Sequence, residues 1–141
     1  ESYMIVRSEA DMERLGYDLA KRVRPGQLVA LSGPLGAGKT VLSRSILRAL
    51  GFDGDVSSPT YAIIHEYSDP AMRMPVVHAD LYRLEDPEEL HELGLFDDQD
   101  SLKLVEWPEM GGHALLRADI SVAIAPVADG SREVTINEKG M

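Results

Sequence analysis

The sequence contains no cysteine, which excludes disulfides and thiolate metal sites. It also lacks long apolar runs: none approaches the ~20 residues that a membrane-spanning helix needs. The first residues carry no signal-peptide pattern. Basic residues are scarce, with 14 Lys and Arg against 24 Asp and Glu, a formal net charge of −10. Neutralising a nucleic-acid backbone takes a basic surface. Strong independent binding to nucleic acid is therefore not expected, and any RNA would be held through a protein partner. Internal repeats and low-complexity tracts are missing as well. What remains is one domain over residues 1–141, long enough to bury a core and expected in the cytoplasm.

The most informative stretch is Gly33-Pro34-Leu35-Gly36-Ala37-Gly38-Lys39-Thr40, which matches G-x-x-x-x-G-K-[ST] in full. Gln27 to Leu31 before it reads as a short apolar strand, and Val41 to Leu50 after it as a helix closed by Gly51. A strand, a glycine-rich turn and a helix N-terminus form an anion cradle. Backbone N–H groups and the positive helix end face phosphate, Lys39 reaches the β and γ oxygens, and the Thr40 hydroxyl is a Mg²⁺ ligand. This predicts a nucleoside triphosphate site.

Elsewhere the chain alternates strands and helices. Tyr3 to Val6 is a first strand, and Ser8 caps a helix whose Met12, Leu15, Leu19, Ala20 and Val23 share one core-facing stripe. Arg24-Pro25-Gly26 turns into the strand before the P-loop. Ala62 to Tyr67 and Met74 to Asp80 are strands that would pair antiparallel. Asp86-Pro87-Glu88-Glu89 starts a helix with Leu90 and Leu93 on its apolar face, ended by Gly94. Leu102 to Glu106 is a further strand, halted by Trp107-Pro108. Ile120 to Ile124 and Glu133 to Ile136 read as a closing hairpin. The expected fold is a P-loop NTPase-like α/β three-layer sandwich, with a mixed, largely parallel central sheet and antiparallel hairpin strands.

A P-loop needs an acidic partner for Mg²⁺, and two strand ends compete for the role, Glu106 and Asp80. Ser58 and Thr60 lie where switch segments occur, although a local Ser-Pro-Thr turn explains them equally well. Trp107 fits either beside a nucleotide or in the core. The four histidines show no ligand spacing and read as structural. Neither a GTPase Asp-x-x-Gly nor an Asn-Lys-x-Asp segment occurs, which favours adenine over guanine. A small-metabolite kinase remains an alternative, with Asp80 deprotonating an acceptor hydroxyl. So does a nucleotide-gated module without turnover.

Gly36-Ala37-Gly38-Lys39-Thr40, Ser58-Pro59-Thr60-Tyr61, His78-Ala79-Asp80-Leu81-Tyr82-Arg83-Leu84, Pro87-Glu88-Glu89-Leu90 and Val105-Glu106-Trp107-Pro108-Glu109 occur in this order. Together they closely resemble the TsaE (YjeE) family of small bacterial ATPases in tRNA threonylcarbamoyladenosine synthesis. The resemblance covers most of the chain. It implies slow ATP hydrolysis that resets the TsaB–TsaD assembly, while the transfer to N6 of adenosine, in tRNAs reading codons that begin with A, happens on those partners. tRNA would be met only through that complex. By matching motif, Gly33, Leu35, Gly36, Ala37, Gly38, Lys39, Thr40 and Val41 would cradle ATP, Thr40 and Glu106 would ligate Mg²⁺, and Asp80 would position or activate water. Trp107 and Arg132 would be further nucleotide contacts. Similar proteins often have Thr where this chain has Met12, which cannot donate that hydrogen bond; Ser8 is a possible substitute.

Overall fold

The computed structural model describes residues 2–56, 64–86, 88–92, 94–95, 99–110 and 118–139. Ser58, Thr60, Pro87, Leu93 and Asp97-Asp98 lie outside the described residues. The elements run β1 (Ser2–Val6), α1 (Glu9–Ala20), β2 (Leu28–Ser32), α2 (Lys39–Ala49), β3 (Ile64–Tyr67), β4 (Val76–Asp80), α3 (Glu89–Glu92), β5 (Leu102–Glu106), β6 (Ile120–Pro126) and β7 (Arg132–Glu138). They build one sheet in the order β1-β7-β6-β2-β5-β4-β3. The four central strands, β6-β2-β5-β4, are mutually parallel. Antiparallel strands complete both sides: β7 and β1 beyond β6, and β3 beyond β4.

Period-two alternation sorts the central strands into two cores. Val29, Leu31, Leu102, Leu104, Val122 and Ile124 face one side, where α1 and α2 supply Met12, Leu15, Leu19, Leu42, Ile46 and Leu47. Leu28, Ala30, Val77, Ala79 and Val105 face the other, covered by Leu81, Leu84, Leu90 and Leu95. That second covering is thin. Among the described residues it consists of irregular chain and α3. The start signal itself is present, since Asp86 accepts the Glu88 N–H through its side chain and the Glu89 N–H through its carbonyl.

α1 opens as its sequence dictates. The Ser8 hydroxyl accepts the Asp11 N–H at 3.1 Å, while Asp11 returns a bond to the Arg7 N–H. Such a cap contributes about 1 kcal/mol. Close approach of α1 to α2 depends on Gly16, where an added Cβ would stand 2.4 Å from the Ser45 Cβ. The two helices together form the wall against which the P-loop is set.

Candidate functional site

β2 ends at Ser32, and the glycine-rich turn carries the chain straight into α2. Gly38 occupies the N-cap with φ 112°, a left-handed conformation that a side chain would oppose, and no side chain caps this helix end. The amides of its first turn therefore open toward the loop, an arrangement suited to an anion.

Parallel pairing brings the acidic groups here. β4 and β5 flank this side of β2, with Asp80 in register with Glu106, so both carboxylates leave the same face at the same strand ends. That face is also the one α2 covers. Lys39, Thr40, Asp80, Glu106 and Trp107 line one cavity of ≈ 350 Å³ together with Leu35, Gly36, Gly38 and Val41. Nine of the residues expected around the phosphates thus converge. Gly33 and Ala37 shape the same loop: the Gly33 carbonyl accepts from Lys39 Nζ, and the Ala37 N–H bonds the Pro34 carbonyl.

Lys39 is almost fully buried, with Nζ also 3.7 Å from the centroid of the Trp107 ring. A cation over an indole face is worth about 0.5–2 kcal/mol. Burial lowers the ammonium pKa from its ordinary value, opposed by the charges of Glu106, Asp80 and Glu109. Burial likewise raises the Asp80 pKa, and Glu106 adds to the rise; the Tyr82 N–H, bonded to Oδ1 at 3.0 Å, together with His78 and Lys39, opposes it. Both ions are thus held against desolvation by their neighbours.

Trp107 has φ 57°, the only non-glycine residue with positive φ among those described. Strand β5 ends there, the Trp107 N–H reaching the Leu31 carbonyl at 3.2 Å, and the indole packs on Tyr82 with centroids 4.8 Å apart. Strained backbone at a strand end aims the ring at Lys39, so the indole is part of the site rather than of the deep core.

Arg132 lies on the far side of the loop, at the start of β7. Its Nε donates to the Ala37 carbonyl at 3.1 Å and its Nη2 to the Gly36 carbonyl at 3.3 Å. It also lines a second cavity, of ≈ 310 Å³, with Val6, Arg7, Ser8, Met12, Gly130 and the outer side of the P-loop. Met12 is buried in that wall, and the Ser8 hydroxyl is engaged as the α1 cap.

One participant was not expected from sequence. His78 is fully buried, and its Nε2 lies 2.6 Å from Glu106 Oε2. The signal was present in the alternation His78-Ala79-Asp80, which puts His78 and Asp80 on one face of β4. Reading the histidines for ligand spacing alone overlooked it.

A family model described as threonylcarbamoyl adenosine biosynthesis protein TsaE matches residues 6–134. The chain belongs to the TsaE family. Membership ties it to tRNA threonylcarbamoyladenosine biosynthesis. It is 50% identical to the Haemophilus influenzae TsaE protein over 99 residues, covering 69% of this chain and 61% of that one. With the Streptomyces coelicolor TsaE protein it shares 42% over 135 residues, 92% of this chain and 91% of the relative. Among solved structures, the crystal structure of Bacillus subtilis YdiB superposes with a TM-score of 0.77 at 26% identity, covering 99% of this chain and 86% of that one. Among the described residues, no helix is long and apolar enough to cross a membrane.

Proposed function

We propose that the protein binds and slowly hydrolyses ATP in support of the TsaB–TsaD complex, without performing the threonylcarbamoyl transfer itself. The observation that carries this reading is the register of Asp80 with Glu106 beside a P-loop whose Lys39 they face. In the proposed reaction, a water oxygen attacks the γ-phosphorus and the bond from that phosphorus to the β–γ bridging oxygen breaks. ADP and phosphate leave, and Asp80 takes the proton. A carboxylate held above its ordinary range by burial is better matched to that task than an exposed one. Lys39 and the α2 N-terminus stabilise charge on the phosphate oxygens. The donor set suits Mg²⁺: the Thr40 hydroxyl and the Glu106 carboxylate, hard oxygen groups lining one cavity, would hold the ion, which would supply neutralisation of phosphate charge. On the other side of the loop, the ≈ 310 Å³ cavity is large enough for the nucleoside.

The test is phosphate release from ATP by the protein alone and with TsaB, TsaD and tRNA, alongside multi-turnover modification. Free phosphate without a phosphorylated metabolite is expected, with modification lost in Lys39→Ala. A Lys39→Ala protein that sustains full multi-turnover modification would overturn the reading.

A further inference from the structure

We propose that His78 is a positioning residue, whose ring holds one oxygen of the Glu106 carboxylate and thereby presents the other to a divalent cation. The inference rests on the reading of the P-loop cavity as a Mg²⁺–nucleotide site, and assigns a role that the P-loop motif does not contain.

The geometry comes from the sheet. β4 and β5 run parallel, with His78 opposite Leu104 and Asp80 opposite Glu106. His78 thus reaches Glu106 diagonally, two residues along the partner strand, a span that two long side chains can bridge. The contact is 2.6 Å between Nε2 and Oε2 and is almost wholly shielded, with His78 at 0% and Glu106 at 3% exposure. In a dry setting such a bond is strong and its direction is fixed. Facing a carboxylate, Nε2 carries the proton and donates. The other ring nitrogen, Nδ1, has no hydrogen-bond partner among the described residues. His78 is thus a fixed donor toward Glu106.

That bond fixes the Glu106 carboxylate from its β4 side. A metal-ligating carboxylate held by a hydrogen bond behind it is a recurrent arrangement. Loss of such a partner typically costs about 10–100-fold in metal affinity or activity. The distinction from a packing role is that metal dependence should change while nucleotide binding without metal should not.

Trp107 is the sole tryptophan and stands over Lys39, so its fluorescence reports this cavity without turnover. The experiment is a Mg²⁺ titration at fixed ADP, and an ADP titration in EDTA, on wild type, His78→Gln, His78→Asn and His78→Leu. Thermal unfolding checks each fold. We expect the Mg²⁺ concentration at half-saturation to rise about tenfold or more in the Asn and Leu variants. ADP binding in EDTA should be unchanged. His78→Gln should recover most of the loss, because its amide nitrogen can stand near the former Nε2 whereas that of Asn falls short. If His78→Leu does not fold, the Gln and Asn pair decides. Unchanged Mg²⁺ dependence in the Asn variant, or an equal loss of ADP binding in EDTA, overturns the proposal. A wild-type protein whose ADP binding ignores Mg²⁺ overturns the metal-site reading beneath it.

Discussion

The P-loop separates two cavities of similar size whose charged groups differ in burial. On the β7 side, ≈ 310 Å³ is walled by Val6, Met12, Val41, loop backbone and the exposed Arg7 and Glu9, and its Arg132 guanidinium is bonded to loop carbonyls. On the β4 side, ≈ 350 Å³ is walled by an ammonium and two carboxylates that are buried or half-buried. The charged groups of the first cavity are exposed or bonded to backbone and cost little desolvation. The second holds ions against desolvation, with Lys39 pushed down and Asp80 pushed up by burial. Chemistry on phosphate needs preorganised charge, so the stability cost falls where the reaction would occur. Substitutions should therefore behave differently on the two sides.

The largest effect is expected at Lys39. Lys39→Ala removes a cation in contact with both the loop and Trp107, and ATP turnover measured by phosphate release should fall at least about 100-fold. Asp80→Asn comes next, with a loss of about 10²–10⁴-fold in turnover and nucleotide binding kept within a few-fold. Its effect on stability should have the opposite sign. The raised Asp80 pKa means that stability contributed below the ordinary value, 3.8, is lost as pH rises through the raised one. Asn stays neutral, and its carbonyl can still accept the Tyr82 N–H. The variant should therefore unfold at a higher temperature than wild type at neutral pH, the gap closing on acidification below the ordinary carboxylate range. Equal Tm values across that range would show that the β4 side carries no such cost.

Arg132 tests the boundary between the cavities. Arg132→Ala removes two bonds to loop carbonyls, and nucleotide affinity by calorimetry should drop about tenfold, as one charge-assisted hydrogen bond is worth ~1.5–3 kcal/mol. Arg132→Lys should not restore it, since a single ammonium cannot reproduce the planar fork. Rescue by Lys would mean that charge alone matters there.

What sequence made legible follows the range of the interactions. The strand-turn-helix around Lys39, the Ser8 cap and the acidic ends of two strands are local patterns, and each stands where its residues imply. Trp107 and Arg132 could be assigned to the site only through the family resemblance. Their contacts depend on a positive φ at a strand end and on a β7 residue meeting a loop 95 positions away. The His78–Glu106 bond was hidden for a related reason. It depends on the register of two parallel strands whose connection is long, and nothing local encodes that register.

The smallest effect is expected at Met12, where the family resemblance leads one to expect a hydroxyl instead. The side chain is 3% exposed, and its Cε stands 3.0 Å from where a Cβ on Gly38 would lie, so it packs directly beneath the P-loop. Met12→Thr forfeits buried methylenes and should lower stability by about 2 kcal/mol. Met12→Leu, which conserves volume, should change it by less than about 1.5 kcal/mol. Nucleotide affinity should move only modestly. A new hydroxyl hydrogen bond contributes only about 0.5–1.5 kcal/mol, an affinity change of no more than about tenfold. Calorimetric titration of ADP against both variants, paired with thermal unfolding, separates the two quantities. An affinity change beyond tenfold in Met12→Thr, with Met12→Leu unchanged, would mean that the β7-side cavity selects its ligand by a directed bond, and the contrast between the two sides of the loop would fail there.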